Sequence, residues 1–170
     1  METTNSITIL KQLKIVLQKI NSLQYSEPLS VFNGSSIGGH VRHVIEFYDC
    51  LLVGEETKVV AYNTRKRDLQ IEENLDYAIV CIDRILAKLI QKYASKTHFQ
   101  LDFVTDEGQN IFTSFEREEI YLVEHSIHHF AIIRIGIQTN FPDICINKDF
   151  GIAFSTIQHR KKQLELKCAS

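Results

Sequence analysis

Proline and glycine are scarce in this 170-residue chain, at two and seven residues, which excludes collagen-like, low-complexity and intrinsically disordered classes. Charge of one sign is not in excess either. Lys plus Arg number 19 against 21 Asp plus Glu, a formal charge of -2, so no positive field makes nucleic acid the default partner. Cysteine occurs four times, at Cys50, Cys81, Cys145 and Cys168, with no CxxC spacing. A chain of this length needs no disulfide staples, so the thiols read as reduced and the expected compartment is the cytoplasm. Long apolar runs are missing too. Lys11, Gln12, Lys14 and Gln18 interrupt the first apolar stretch, and no later one approaches the length of a bilayer span, so neither secretion nor membrane insertion is expected. What is present is an ordinary apolar complement, 44% of the residues, sufficient for one core and one domain over 1–170.

From Asn5 to about Leu23 the apolar positions Ile9 or Leu10, Leu13, Val16 or Leu17 and Ile20 recur at helical spacing. Pro28, Asn33 and Gly34 break that period, and Ser35 or Ser36 then offers an N-cap to a second helix reaching about Gly54. It opens on Gly38 and Gly39, which lack phosphate-loop spacing and read as permission for close helix packing or as space left above a metal. The polar stretch from Glu55 to Gln70 reads as a long loop before a third helix over about Ile71 to Tyr93. Alternation around Asp106 to Gly108 predicts a hairpin with strands near Phe99 to Val104 and Asn110 to Thr113. Thr113 or Ser114 can cap a fourth helix whose acidic start suits its positive end and which runs to Ile137, before Asn140 and Pro142. A short helical pattern follows Ser155 in a tail that turns basic. The expected fold is therefore all-α: a four-helix bundle with a minor β-hairpin between the third and fourth long helices.

Five of the seven histidines fall in two of these helices, His40 and His43 in the second and His125, His128 and His129 in the fourth. Residues four apart share a helix face, so His125 and His129 can aim two imidazoles at one point, and a third ring from a neighbouring helix completes a facial set. Three neutral imidazoles bind a borderline divalent ion and leave positions open for water or substrate, the pattern of catalytic zinc. His43, one turn deeper than His40, is the better placed third ligand, with His40 as pocket wall. His128 is turned about 100° from His129 around the axis, which suits packing or support more than ligation. The plain alternative is a set of core histidines satisfied by carboxylates such as Glu46, Asp49, Glu118 or Glu124. Against it stands the cost of burying several imidazoles unpaired, about 1 to 3 kcal/mol each.

Other residues have two readings. Cys50, seven after His43, lies on roughly the same face and its thiolate would be a soft ligand, although a lone Cys in an apolar stretch is most often a small core residue. Glu46, Glu118 and Tyr121 can serve as general base or as orienting groups, or be ordinary helix residues. Arg65, Lys66 and Arg67 can receive an anionic group by bidentate pairing, but the preferred reading is a solvated loop beside Asp68, Glu72 and Glu73. Arg160 to Lys162 reads as a solvated terminus.

The segment SIGGHVRHVIEFYDCLL, with its HxxH, and the later HSIHH, with its HxxxH, resemble the motifs of the DinB/YfiT-like superfamily of metal-binding four-helix-bundle proteins. The resemblance spans most of the chain in helix order and length, and it implies metal-ligand roles for His43, His125 and His129. Members bind zinc, nickel or other divalent ions and often dimerise. The resemblance thus implies a divalent metal cofactor, a small-molecule substrate such as a low-molecular-weight thiol, and a homodimer. It points first to a thiol S-transferase, next to a metal-dependent hydrolase, and otherwise to a non-catalytic metal- or ligand-binding stress-response protein. Relatives whose later motif continues to a Glu are not matched, since Phe130 and Ala131 follow His129, and their iron-dependent chemistry is not implied.

Overall fold

Periodic apolar stretches become helices here where a side chain stands ready to start them. A computed structural model describes residues 5–95 and 100–168, and over these the chain is mostly helical with a small three-stranded sheet. Helix α1, Asn5–Leu17, buries Ile9, Leu10, Leu13, Val16 and Leu17. It stops short of Leu23 because Asn21 and Gln24 cap each other's backbone, at 2.9 and 3.0 Å, and begin a separate α2, Ser22–Ser26. Such a reciprocal cap satisfies two amide groups that a continuing helix would leave to its own carbonyls. Helix α3, Ile37–Thr57, starts at Ser36, whose hydroxyl accepts from the Gly39 amide at 3.0 Å, and closes on Lys58 in the left-handed conformation.

The connector expected to be a loop holds three short elements: strand β1, Val59–Val60, a 3-10 turn at Tyr62–Thr64, and helix α4, Leu69–Glu73. Asn74 ends α4, and its side chain accepts from the Tyr77 amide at 3.0 Å to start α5, Leu75–Ser95. The helix expected over Ile71 to Tyr93 is therefore two helices divided by a cap. Strands β2, Gln100–Val104, and β3, Asn110–Ser114, form the expected antiparallel hairpin, with Gln100 opposite Ser114 and Val104 opposite Asn110. Phe99, placed in that hairpin by its sequence, lies outside the described residues. Strand β1 joins parallel to β2, pairing Val59 with Asp102 and Val60 with Phe103. This corrects the all-α expectation with its lone hairpin, since a two-residue strand has no alternation to read. Helix α6, Phe115–Asn140, is capped by Ser114, and α7, Phe154–Cys168, is largely exposed.

Helices α1 and α3 each pack against both α5 and α6. Tyr25, Tyr48, Phe115, Phe130 and Phe150 are the bulkiest fully buried side chains of the shared core. Helix α4 lies directly on the start of α3, and Gly38 makes that approach possible: a Cβ there would stand 2.1 Å from the Glu72 carbonyl oxygen. The Tyr25 hydroxyl donates to the Ile71 carbonyl at 2.5 Å and ties α2 to α4. The packing of α3 on α6 brings the two histidine-bearing stretches face to face. No helix among the described residues is long and apolar enough to cross a membrane.

Candidate metal centre

Four imidazoles meet at the α3–α6 contact, all partly buried: His40 and His43 from α3, His125 and His129 from α6. His43 Nε2 and His125 Nε2 are 2.8 Å apart. One ring nitrogen from each of His43, His125 and His129 lies within 4.8 Å of the other two, so these three residues could hold a metal ion. Three nitrogens bonded to one tetrahedral zinc at about 2.0–2.1 Å stand roughly 3.3–3.4 Å apart. The widest pair therefore has to close by more than about 1 Å, while the His43–His125 pair has to open slightly.

The electrostatics suit an uncharged donor set. Burial lowers the His43 pKa to about 4, helped by His125, Arg65, His40 and Arg42. Burial lowers that of His129 to about 3, with His43, His125, His40 and His128 adding to the effect. His125 and His40 are lowered as well, again chiefly by burial. Neutral rings at pH 7 keep lone pairs free, and a cation has no proton to displace.

What stands behind each ring differs. His129 Nδ1 lies 3.0 Å from His40 Nδ1, so one can donate to the other. The second nitrogen of His40, Nε2, is buried and has no hydrogen-bond partner among the described residues. Phe47 stacks on His125 with centroids 4.8 Å apart, and Tyr121 stacks on the same ring at 5.5 Å. Behind His43 sits Arg65, whose Nη2 is 3.2 Å from His43 Nδ1.

The other residues singled out by the sequence separate here. His40 stands beside the three converging rings and touches His129. Glu46 is buried, and its carboxylate accepts from Arg65 Nε at 3.1 Å and from the Asp68 amide at 2.9 Å. Tyr121 borders the site at 37% exposure, and burial pushes its hydroxyl pKa up. Glu118 is buried away from the rings, accepting from the Tyr62 and Thr113 hydroxyls at 3.0 and 2.7 Å. His128 is exposed and meets His129 edge-on at 5.6 Å, outside the converging set. Cys50 does not reach the rings. It lines a cavity of about 550 Å³ together with Arg65, Lys66 and Tyr77, and burial raises its thiol pKa, which disfavours a thiolate ligand.

Phe47 and Tyr62 went unnoticed in the sequence, and Arg65 was named there as a possible anion receiver but not as a neighbour of the rings. Phe47 is four residues after His43 on the same helical face, a spacing that could have revealed it. Tyr62 stacks on Phe47 at 4.7 Å, and Arg65 lies over the same ring at 4.8 Å. Both come from the connector, where no period indicates direction. The preferred reading of Arg65 as a solvated loop residue is corrected, because its side chain is only 12% exposed. No protein-family model, curated protein or solved structure matches the chain.

Proposed function

We propose that this protein is a metal-dependent enzyme of the DinB/YfiT-like four-helix-bundle kind, in which His43, His125 and His129 hold one divalent cation, zinc or nickel. The reaction proposed is transfer of a low-molecular-weight thiol to an electrophile. The observation that carries the reading is the convergence of three uncharged ring nitrogens, from two helices, within 4.8 Å. No fourth His, Cys, Asp or Glu joins the group among the described residues, which favours a site with open positions over a closed structural one.

When bound, such a cation supplies a Lewis acid that stabilises a thiolate at neutral pH. The chain's own residues do the rest. His40 fixes the orientation of His129, while Phe47 and Tyr121 cover the faces of His125 and keep water from them. In the transfer, a sulfur–carbon bond forms as the bond from that carbon to its leaving group breaks, and the thiol proton departs with the leaving group. The same donor set supports hydrolysis if water takes the place of the thiol.

Elemental analysis of the purified protein tests the site. About one zinc or nickel per chain is expected, with loss of at least tenfold in affinity in His43→Ala; unchanged metal content in that variant would remove the assignment. A panel of cellular thiols with simple alkylating electrophiles, run with and without chelator, tests the reaction. Thioether product that disappears with chelator supports transfer, whereas turnover without any thiol shifts the reading to hydrolysis.

A further inference from the structure

Arg65 takes no part in the reaction as proposed, yet it touches a ligand of the centre. Its guanidinium is anchored at two nitrogens: Nε donates to Glu46 at 3.1 Å and Nη1 donates to the Tyr62 carbonyl at 2.9 Å. Its plane rests on Phe47. The remaining corner, Nη2, is aimed at His43 Nδ1. Arg65 also lines two cavities at once, the one of about 550 Å³ beside Cys50 and another of about 290 Å³ beside Tyr121.

A guanidinium carries five N–H donors and no acceptor. The contact therefore requires His43 Nδ1 to offer its lone pair, which puts the ring proton on Nε2, where it can be donated to His125 Nε2 at 2.8 Å. Every bond in that chain is satisfied as long as no cation sits between the rings. A cation needs the opposite arrangement, with the Nε2 lone pair directed at the ion and the proton on Nδ1. Nη2 and Nδ1 then face each other as two donors. The bonds from Nε and Nη1 hold Arg65 in place, because leaving would strand the buried Glu46 carboxylate without this partner. The freed Nη2 corner needs an acceptor oxygen from elsewhere.

We propose that Arg65 is the anion-receiving group of this centre, so that its ligands and substrates carry a carboxylate or similar oxyanion that Nη2 binds beside His43. The inference rests on the metal reading above and names the substrate class of the same site. A charge-assisted N–H to oxyanion bond is among the stronger polar contacts available. The charge count agrees once Glu46 is set against Arg65: the three rings are neutral donors, so a divalent ion beside the Arg65–Glu46 pair leaves a net positive charge there, and Asp106 is the one carboxylate among the residues lining the smaller cavity.

Cobalt(II) as the loading metal gives a visible spectrum that reports its surroundings, and acetate serves as the probe. Titrating acetate into the cobalt-loaded protein is expected to shift that spectrum. Arg65→Gln is expected to weaken acetate binding at least tenfold while holding cobalt as tightly or more tightly, since the Gln carbonyl can accept from His43 Nδ1. Acetate binding that matches the unsubstituted protein, or weaker cobalt binding in Arg65→Gln, overturns the proposal. Arg65→Lys retains the charge beside Glu46 and guards against a folding defect; it is expected to lose several-fold in acetate affinity, and full retention overturns the proposal equally. Failure of the unsubstituted protein to take up cobalt is a different result, and removes the metal reading itself.

Discussion

His40 is placed to orient one of the three proposed ligands without being one itself. Its Nδ1 stands 3.0 Å from His129 Nδ1, so it can accept the proton that His129 must carry on that nitrogen when its other nitrogen binds an ion. Groups that orient a ligating imidazole in this way are typically worth about 10–100-fold in metal affinity. His40→Ala is expected to weaken zinc binding by roughly that factor, measured by competition with a chromophoric chelator. His128→Ala is expected to leave it unchanged, because His128 is exposed and only edges against His129. Equal losses in the two variants would show that His40 acts through packing alone. At this scale the pairing of His125 with His129 was legible because residues four apart share a helix face, and both rings do converge with His43. Arg65 was legible as a possible anion receiver but not as a neighbour of His43, since nothing in a connector 22 residues downstream states that its side chain turns back to that ring.

Caps decide where the elements begin and end, and close contacts decide how near they lie. Ser36 and Ser114 start the two histidine-bearing helices as their spacing predicts. Asn21 and Asn74 act as further caps inside stretches whose apolar period runs straight through them, and there the period misleads. Strand β1 was hidden for another reason: two residues cannot alternate, and its partners on β2 lie 43 positions away, at Asp102 and Phe103. Gly38 belongs to the contacts. The pair of glycines was expected to allow close packing, and a Cβ at Gly38 would meet the Glu72 carbonyl and also the Tyr25 ring, 2.9 Å away. Gly38→Ala must push α4 off α3, with a cost of about 1–3 kcal/mol by analogy with overpacked cores. Chemical denaturation is expected to show a lower midpoint at unchanged slope. Because α4 follows directly from the Arg65 loop and rests on the helix that carries His43, the same variant is expected to bind zinc more weakly. A variant as stable as the parent would mean that α4 moves aside freely.

For the molecule as a whole, the cost of keeping imidazoles neutral appears as a dependence of stability on pH. In the unfolded chain His43 and His129 titrate near 6.5, and in the native metal-free protein near 4 and 3. Above pH 6.5 both rings are neutral in both states, and the histidines favour neither. As pH falls below 6.5 the unfolded chain takes up protons that the native state refuses, so stability declines. The decline continues until the native rings themselves titrate, near pH 4 and then 3, and it levels off below. Ordinary carboxylates titrate near 4, so the window from pH 6.5 to 5 isolates the histidine contribution. Thermal unfolding in the presence of chelator is expected to show a Tm that holds above pH 6.5 and drops steadily down to pH 5. The drop should be shallower in a His43→Gln, His129→Gln double variant. A cation that binds only the folded triad adds stability in proportion to the logarithm of its concentration above Kd. Because the native rings stay neutral down to about pH 4, zinc should add nearly the same stability at pH 5 as at pH 7, on top of the lower metal-free Tm. A Tm that stays level from pH 7 to 5 without metal would mean that water reaches these rings freely, and the site would lose the dryness that its neutral donors require.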